Sequence, residues 1–214
     1  MENTEKTTTA AENVQTAPIT AARGSKAANR RYIGTLTGLG ILTALVVVLQ
    51  LFSSVIKFGT VSITLTLTPI IVGGALYGAL GGAWLGAVFG VVVLLQPDTL
   101  AFFFPVNPAA TIVLCLLKGI AAGVLGALVF RLLEKKNLPV AVVAAGIAAP
   151  TANTGIFILG TILFFMDVYG SIENLLIGVI TLNFFIEVAV NLALSVVTVT
   201  IIRYVKKIER ENAQ

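Results

Sequence analysis

Apolar and polar positions are spread very unevenly along the chain, and that unevenness marks out its elements. Residues 1–29 are rich in Thr, Ala, Asn and Glu and hold no apolar run, which predicts a disordered tail with no cleavable leader. Apolar stretches follow, most of them long enough to cross a bilayer as a helix of about 20 residues. The first runs from Ile33 to Ile56 and suits an uncleaved anchor helix. Lys57 to Leu67 alternates Val, Ser, Ile, Thr and Leu, the pattern of a strand or extended loop. Pro69 to Gln96 is dense in glycine and is expected to divide into two short helices at Gly81-Gly82. A loop from Pro97 to Asn107 precedes a span from Pro108 to about Leu133, and Glu134-Lys-Lys-Asn137 is the clearest polar loop. Pro139 to Phe165 makes a fifth span. A break is expected there at Pro150-Thr-Ala-Asn-Thr-Gly155, since proline removes a hydrogen bond and glycine admits unusual torsions. Met166 to Ile172 is a short acidic loop, and the last span, Leu175 to Ile202, leads into Arg203 and a basic tail.

Composition turns this pattern into a class. Of 214 residues, 57% are hydrophobic and only 11% charged, and the mean hydropathy is +0.99. That is too few charges for a soluble surface and predicts a polytopic membrane protein. With six spans, one side carries Lys6, Arg23, Lys26, Arg30, Arg31, Arg131, Lys135, Lys136, Arg203, Lys206, Lys207 and Arg210, and the other carries Lys57 alone. By the positive-inside rule both termini are expected in the cytoplasm. The expected fold is an all-α membrane protein of six transmembrane helices with an extended first outside loop. Its expected parts are a cytoplasmic tail (1–29), a six-helix membrane domain (30–207) and a short cytoplasmic C-terminal tail (208–214), in a bacterial plasma membrane.

Several chemistries are not expected. The single cysteine, Cys115, forms no disulfide within the chain, and without histidine or clustered acids no metal site or cofactor is expected. The positive charge flanks the spans and does not form a surface that reads nucleic acid. There is no Gly-x-x-x-x-Gly-Lys-Ser/Thr sequence for ATP, no serine–histidine pair and no HExxH, and no pair of matching halves with broken helices.

The polar residues inside the spans are the candidate chemistry. Asn183, Glu187 and Asn191 recur every four residues and form one stripe on a helix. A carboxylate in a span costs at least ~2.5 kcal/mol by insertion scales, so the stripe should face protein or a wet cavity. The bland alternative is hydrogen bonding between helices. Lys118 is expected at a similar depth, either paired with Glu187 or free to catch a substrate carboxylate. Asn153 and Thr154 would line the break at Pro150. Phe102, Phe103 and Phe104 read either as an interfacial belt or as a lid with Asn107, and Ser62, Thr64 and Thr66 as a second lid. Gly34, Gly38, Gly40 and Ala44 mark the first helix as a close-packing face.

Those segments together resemble one family. Gly40-Ile-Leu-Thr-Ala44-Leu45, the glycine-rich Thr68 to Gly86 and Lys118-Gly-Ile-Ala-Ala-Gly123 are similar to the S components of energy-coupling factor transporters, over about residues 30–207. The resemblance implies a substrate-capture subunit, not an enzyme, with a transmembrane coupling protein and two ATPase subunits as partners. It implies ligand binding near the outer face through Ser62, Thr64, Asn107, Thr111, Lys118, Asn153, Thr154, Asn183 and Glu187, docking through Gly40 and Ala44, and release inward by toppling in the membrane. Asn107-Pro108 and Pro150 to Phe157 look most like the pantothenate type. A pocket of asparagines, threonines and one lysine also suits pantothenate, with its carboxylate, amide and two hydroxyls. Riboflavin, folate, cobalamin or a queuosine precursor are the alternative ligands. The alternative classes are an intramembrane enzyme, which lacks clustered acids or a nucleophile–base pair, and a structural or assembly protein whose polar residues are merely packed.

Overall fold

A computed structural model describes residues 32–54, 57–58, 61–62, 65–166 and 181–211. Five helices in it are long and apolar enough to cross a membrane. They are α1 (Tyr32–Ser54), α2 (Leu67–Leu94), α3 (Pro108–Leu133), α4 (Leu138–Phe164) and α5 (Thr181–Glu211). Helices are the natural choice for such runs because each satisfies its own backbone polar groups where no water can. By contacts the chain divides into two units, Met1–Gly40 and Ile41–Gln214. Of the first, residues 32–40 are the opening turns of α1.

Between α1 and α2 the alternating segment forms a two-residue antiparallel pair, β1 (Lys57–Phe58) with β2 (Val61–Ser62), in register Lys57 to Ser62. In the second unit α2 packs chiefly on α3, α3 on α4 and α4 on α5. Two asparagines start two of these helices. Asn107 is extended (φ −151°, ψ 91°), and its Oδ1 accepts from the Ala110 N–H at 3.0 Å, with Pro108 as the first helical residue. Asn137 does the same for α4 through Val140 N–H at 3.4 Å. Each cap satisfies an otherwise orphaned donor.

The glycine-rich α2 does divide, but at Gly78 and not at Gly81-Gly82. Gly78 has φ 78° and ψ −168°, a region open essentially to glycine alone. In a straight helix Gly73 and Leu85 would lie about 18 Å apart. Here a side-chain atom added at Gly73 would overlap the Leu85 side chain, so the two arms fold back against each other. The glycines at 82, 86 and 90 serve a different purpose. A Cβ at Gly82 would overlap the Gly123 carbonyl oxygen, one at Gly86 that of Gly119, and one at Gly90 that of Cys115. The ascending and descending numbers make the second arm antiparallel to α3, with backbones in direct contact.

Three further expectations change. The helix α4 runs through Pro150 without a break. Only one backbone donor is missing there, the one that would reach the Gly146 carbonyl, and the Thr151 hydroxyl adds a bond to the next carbonyl, that of Ile147, at 2.7 Å. The expected loop at 97–107 contains a π-helical turn, Thr99–Phe103, closed by Phe104 N–H donating to Thr99 O at 3.0 Å. The last helix continues past Ile202 to Glu211, because the Lys, Arg and Glu that follow are good helix formers. Its extension carries Lys206, which pairs with Glu134 beyond α3 and lies 5.4 Å from the Phe130 ring centroid.

The Gly78 turn sits under the Arg131 guanidinium. Gly78→Ala places a Cβ in a forbidden torsion and against that group. It is expected to cost about 1–3 kcal/mol, a fall in Tm of ~2–4 °C per kcal/mol. Gly155→Ala, where a Cβ meets nothing within 4 Å, should leave Tm unchanged or raise it. Equal effects in thermal unfolding of the purified protein would remove the hairpin reading.

Candidate functional site

The largest gathering of polar side chains is a cavity of about 200 Å³ to which all five helices contribute. Lys118, which lines it, is separated along α3 from Arg131, beside the Gly78 turn, by about 20 Å at 1.5 Å per residue. Lys118 follows from the backbone contact of α2 and α3. Its neighbour Gly119 packs on Gly86, and the lysine, one residue round the helix, is turned toward the space enclosed by α4 and α5.

From α4 come Asn153, Thr154 and Phe157, one face of an unbroken helix, and from α5 come Asn183, Phe184 and Glu187. The Lys118 ammonium lies 4.8 Å from the Phe157 ring centroid, a distance that suits cation–π attraction. Phe157 meets Phe103 edge-on at 5.7 Å, and Phe103 meets Phe165 at 5.2 Å. The π-helical turn thus brings Phe103 over the cavity, while Phe102 is exposed. Lys118 and Glu187 act on each other through space. Other ion pairs join Lys206 to Glu134 and Lys207 to Glu211, toward the far ends of α3 and α5.

Two amides on the cavity wall also hold α1 in place. Gln50 Oε1 accepts from the Thr66 hydroxyl at 2.7 Å, and Gln96 donates to the Ser54 hydroxyl. Two other amides are unsatisfied. The buried Oδ1 atoms of Asn153 and Asn183 have no hydrogen-bond partner among the described residues. An acceptor left in that state costs about 1–3 kcal/mol.

Five residues singled out in the sequence therefore meet here: Lys118, Asn153, Thr154, Asn183 and Glu187. Asn191, one turn beyond Glu187, does not. Its Oδ1 accepts from Thr68 at 3.2 Å and its Nδ2 donates to Glu187 O at 2.8 Å, tying α5 to the first arm of α2. Asn107 and Thr111 sit apart from this cavity. Asn107 caps α3, Thr111 donates to Asn107 O at 2.8 Å, and Asn107 borders a second, apolar hollow of about 460 Å³ between α3 and α4. Ser62 is in β2, with its side chain outside the described residues, and Thr64 lies outside them altogether. Gly40 and Ala44 are exposed on α1.

Phe103, one of the three phenylalanines read as a belt or a lid, lines the cavity, whereas the sequence reading gave no role to Gln50, Gln96, Asp98, Thr99, Phe89, Phe157 and Phe184, which also line it. Gln50 was detectable as an amide inside an apolar run, as Asn153 was. The phenylalanines carried no signal, since phenylalanine is ordinary in a membrane helix.

A family described as ECF transporter, substrate-specific component, has a model that matches residues 34–203. No curated protein and no solved structure matches the chain.

The cap geometry makes Asn107→Ala a specific test. It should lower stability by about 1 kcal/mol, whereas Asn107→Ser or Asn107→Asp should retain it. Thermal unfolding of the three variants decides, and a neutral alanine variant would show that the cap contributes nothing.

Proposed function

We propose that this chain, which belongs to the family of ECF transporter substrate-specific components, captures a small water-soluble vitamin, with pantothenate as the first choice. The observation that carries the reading is the convergence of Lys118, Asn153, Thr154, Asn183 and Glu187 on one cavity inside an otherwise apolar set of helices. Ionisable and amide groups at such depth mark ligand pathways by default. The cavity of about 200 Å³ is below the ~300–1,000 Å³ of pockets for drug-sized ligands. That favours a compact vitamin over riboflavin, folate or cobalamin. Lys118 faces the ligand carboxylate, and Asn153, Thr154 and Asn183 face its hydroxyls and amide. Ser62, Thr64, Asn107 and Thr111 belong to the outer approach.

The two arms of α2 each cross part of the bilayer, which makes six crossings and puts both termini on the cytoplasmic side with the basic residues. Lacking an ATP-binding sequence, the chain works with a transmembrane coupling protein and two ATPase subunits, on which the exposed Gly40 and Ala44 of α1 dock. The membrane is a bacterial plasma membrane.

Thermal unfolding of the detergent-purified protein against a panel of B vitamins and precursors tests this. Ligand at a hundred times its Kd stabilises by ~2.7 kcal/mol, a rise of roughly 5–11 °C at 2–4 °C per kcal/mol. Pantothenate should give that rise, and Lys118→Met should abolish it without unfolding the protein. A rise with another vitamin replaces the ligand and keeps the class. No rise across the panel favours a structural role.

A further inference from the structure

We infer that Asn153 and Asn183 are the specificity-determining pair of this cavity, and that they select a small organic anion bearing O–H or N–H donors. The inference rests on the capture reading above and goes further into how the ligand is told apart from others.

Asn153 is only 8% exposed, and both Oδ1 atoms are buried and unpartnered among the described residues. They project from α4 and α5 into the same cavity. An amide oxygen only accepts, so nothing but a donor on the ligand satisfies it. The other polar anchor works differently. Lys118 carries a compact charge with rotatable donors, and it receives any anion of suitable size without reading its shape. Charge therefore admits a class of ligand, and the two oxygens choose within it. A site built to bond a substrate hydroxyl or N–H rejects the analogue lacking it far more strongly than an apolar pocket rejects a missing methylene.

The contrast with Asn191 sharpens the point. That residue shares a helix face with Asn183, yet both ends of its amide are bonded, to Thr68 and to Glu187 O. Two asparagines keep an unsatisfied Oδ1 among the described residues, while in a third, two turns from one of them, the oxygen and the nitrogen are both bonded. The unsatisfied pair is kept for a ligand.

The test has two arms. In the ligand-free protein, Asn153→Leu and Asn183→Leu remove an unsatisfied acceptor while keeping the side chain's branching and heavy-atom count, and each should raise Tm by about 2–4 °C. Asn191→Leu should lower it. In the second arm, wild-type protein is titrated with pantothenate and with its analogue lacking both hydroxyls. The analogue should bind about tenfold to a hundredfold more weakly, and either leucine variant should narrow that gap. A fall in Tm for both Asn153→Leu and Asn183→Leu, or equal binding of the two probes to wild type, overturns the inference. If neither probe binds, the pantothenate reading fails by itself, and the ligand-free Tm values still decide whether the two oxygens are held unsatisfied.

Discussion

In lipid, pressing one apolar helix on another gains little from the hydrophobic effect, since lipid tails are as apolar as leucine. The helices α2 and α3 hold together instead through backbones that touch, at Gly82 and Gly123, Gly86 and Gly119, and Gly90 and Cys115. Any side chain at these positions pushes the two helices apart. This contact sets the rotation of α3 about its axis, and the rotation in turn sends Lys118 into the cavity. The packing of Gly160 against Leu114 and of Gly126 against Ala149 then seats α4 on α3. The charged and amide groups of the site are consequences of close packing elsewhere.

The hairpin in α2 extends the same logic. One residue in a torsion reserved for glycine lets two short arms occupy the place of one long helix. The arms carry few polar atoms: within the second, Trp84 donates to the Thr43 hydroxyl of α1 at 3.1 Å, and further bonds lie at the ends. Thr66 and Gln96, at the two ends of α2, bond Gln50 and Ser54 of α1. A movement of α1 away from α2 breaks those bonds, and both glutamines also face the cavity. The wall of the cavity is thereby made of groups that also hold α1.

Polar groups in the bundle fall into two kinds. Thr68, Asn191, Thr66 and Gln50 are paired and hold helices in register. Asn153 and Asn183 have an open acceptor each, beside a lysine held over an aromatic ring. The same residue type, asparagine, supplies both kinds.

Much of this was legible in the sequence, because run length, charge and residue type are local properties. Apolar runs predicted α1 to α4 nearly to their ends but not the C-terminal extension of α5, and Lys118, Asn153, Thr154, Asn183 and Glu187 stood out as polar residues that a membrane tolerates only for a reason. The turn at Gly78 instead of Gly81-Gly82 was not legible, since all three glycines bend equally well and only packing on α3 assigns each its role. Nor was the continuity of α4 through Pro150, because whether a proline breaks a membrane helix or is absorbed by it depends on the packing around it. The sequence by itself determined that this is a helical membrane protein with polar groups buried in its spans. Only the tertiary structure decided which of those groups find partners and which keep an open acceptor, because hydrogen-bond satisfaction between helices belongs to pairs of residues far apart in the chain.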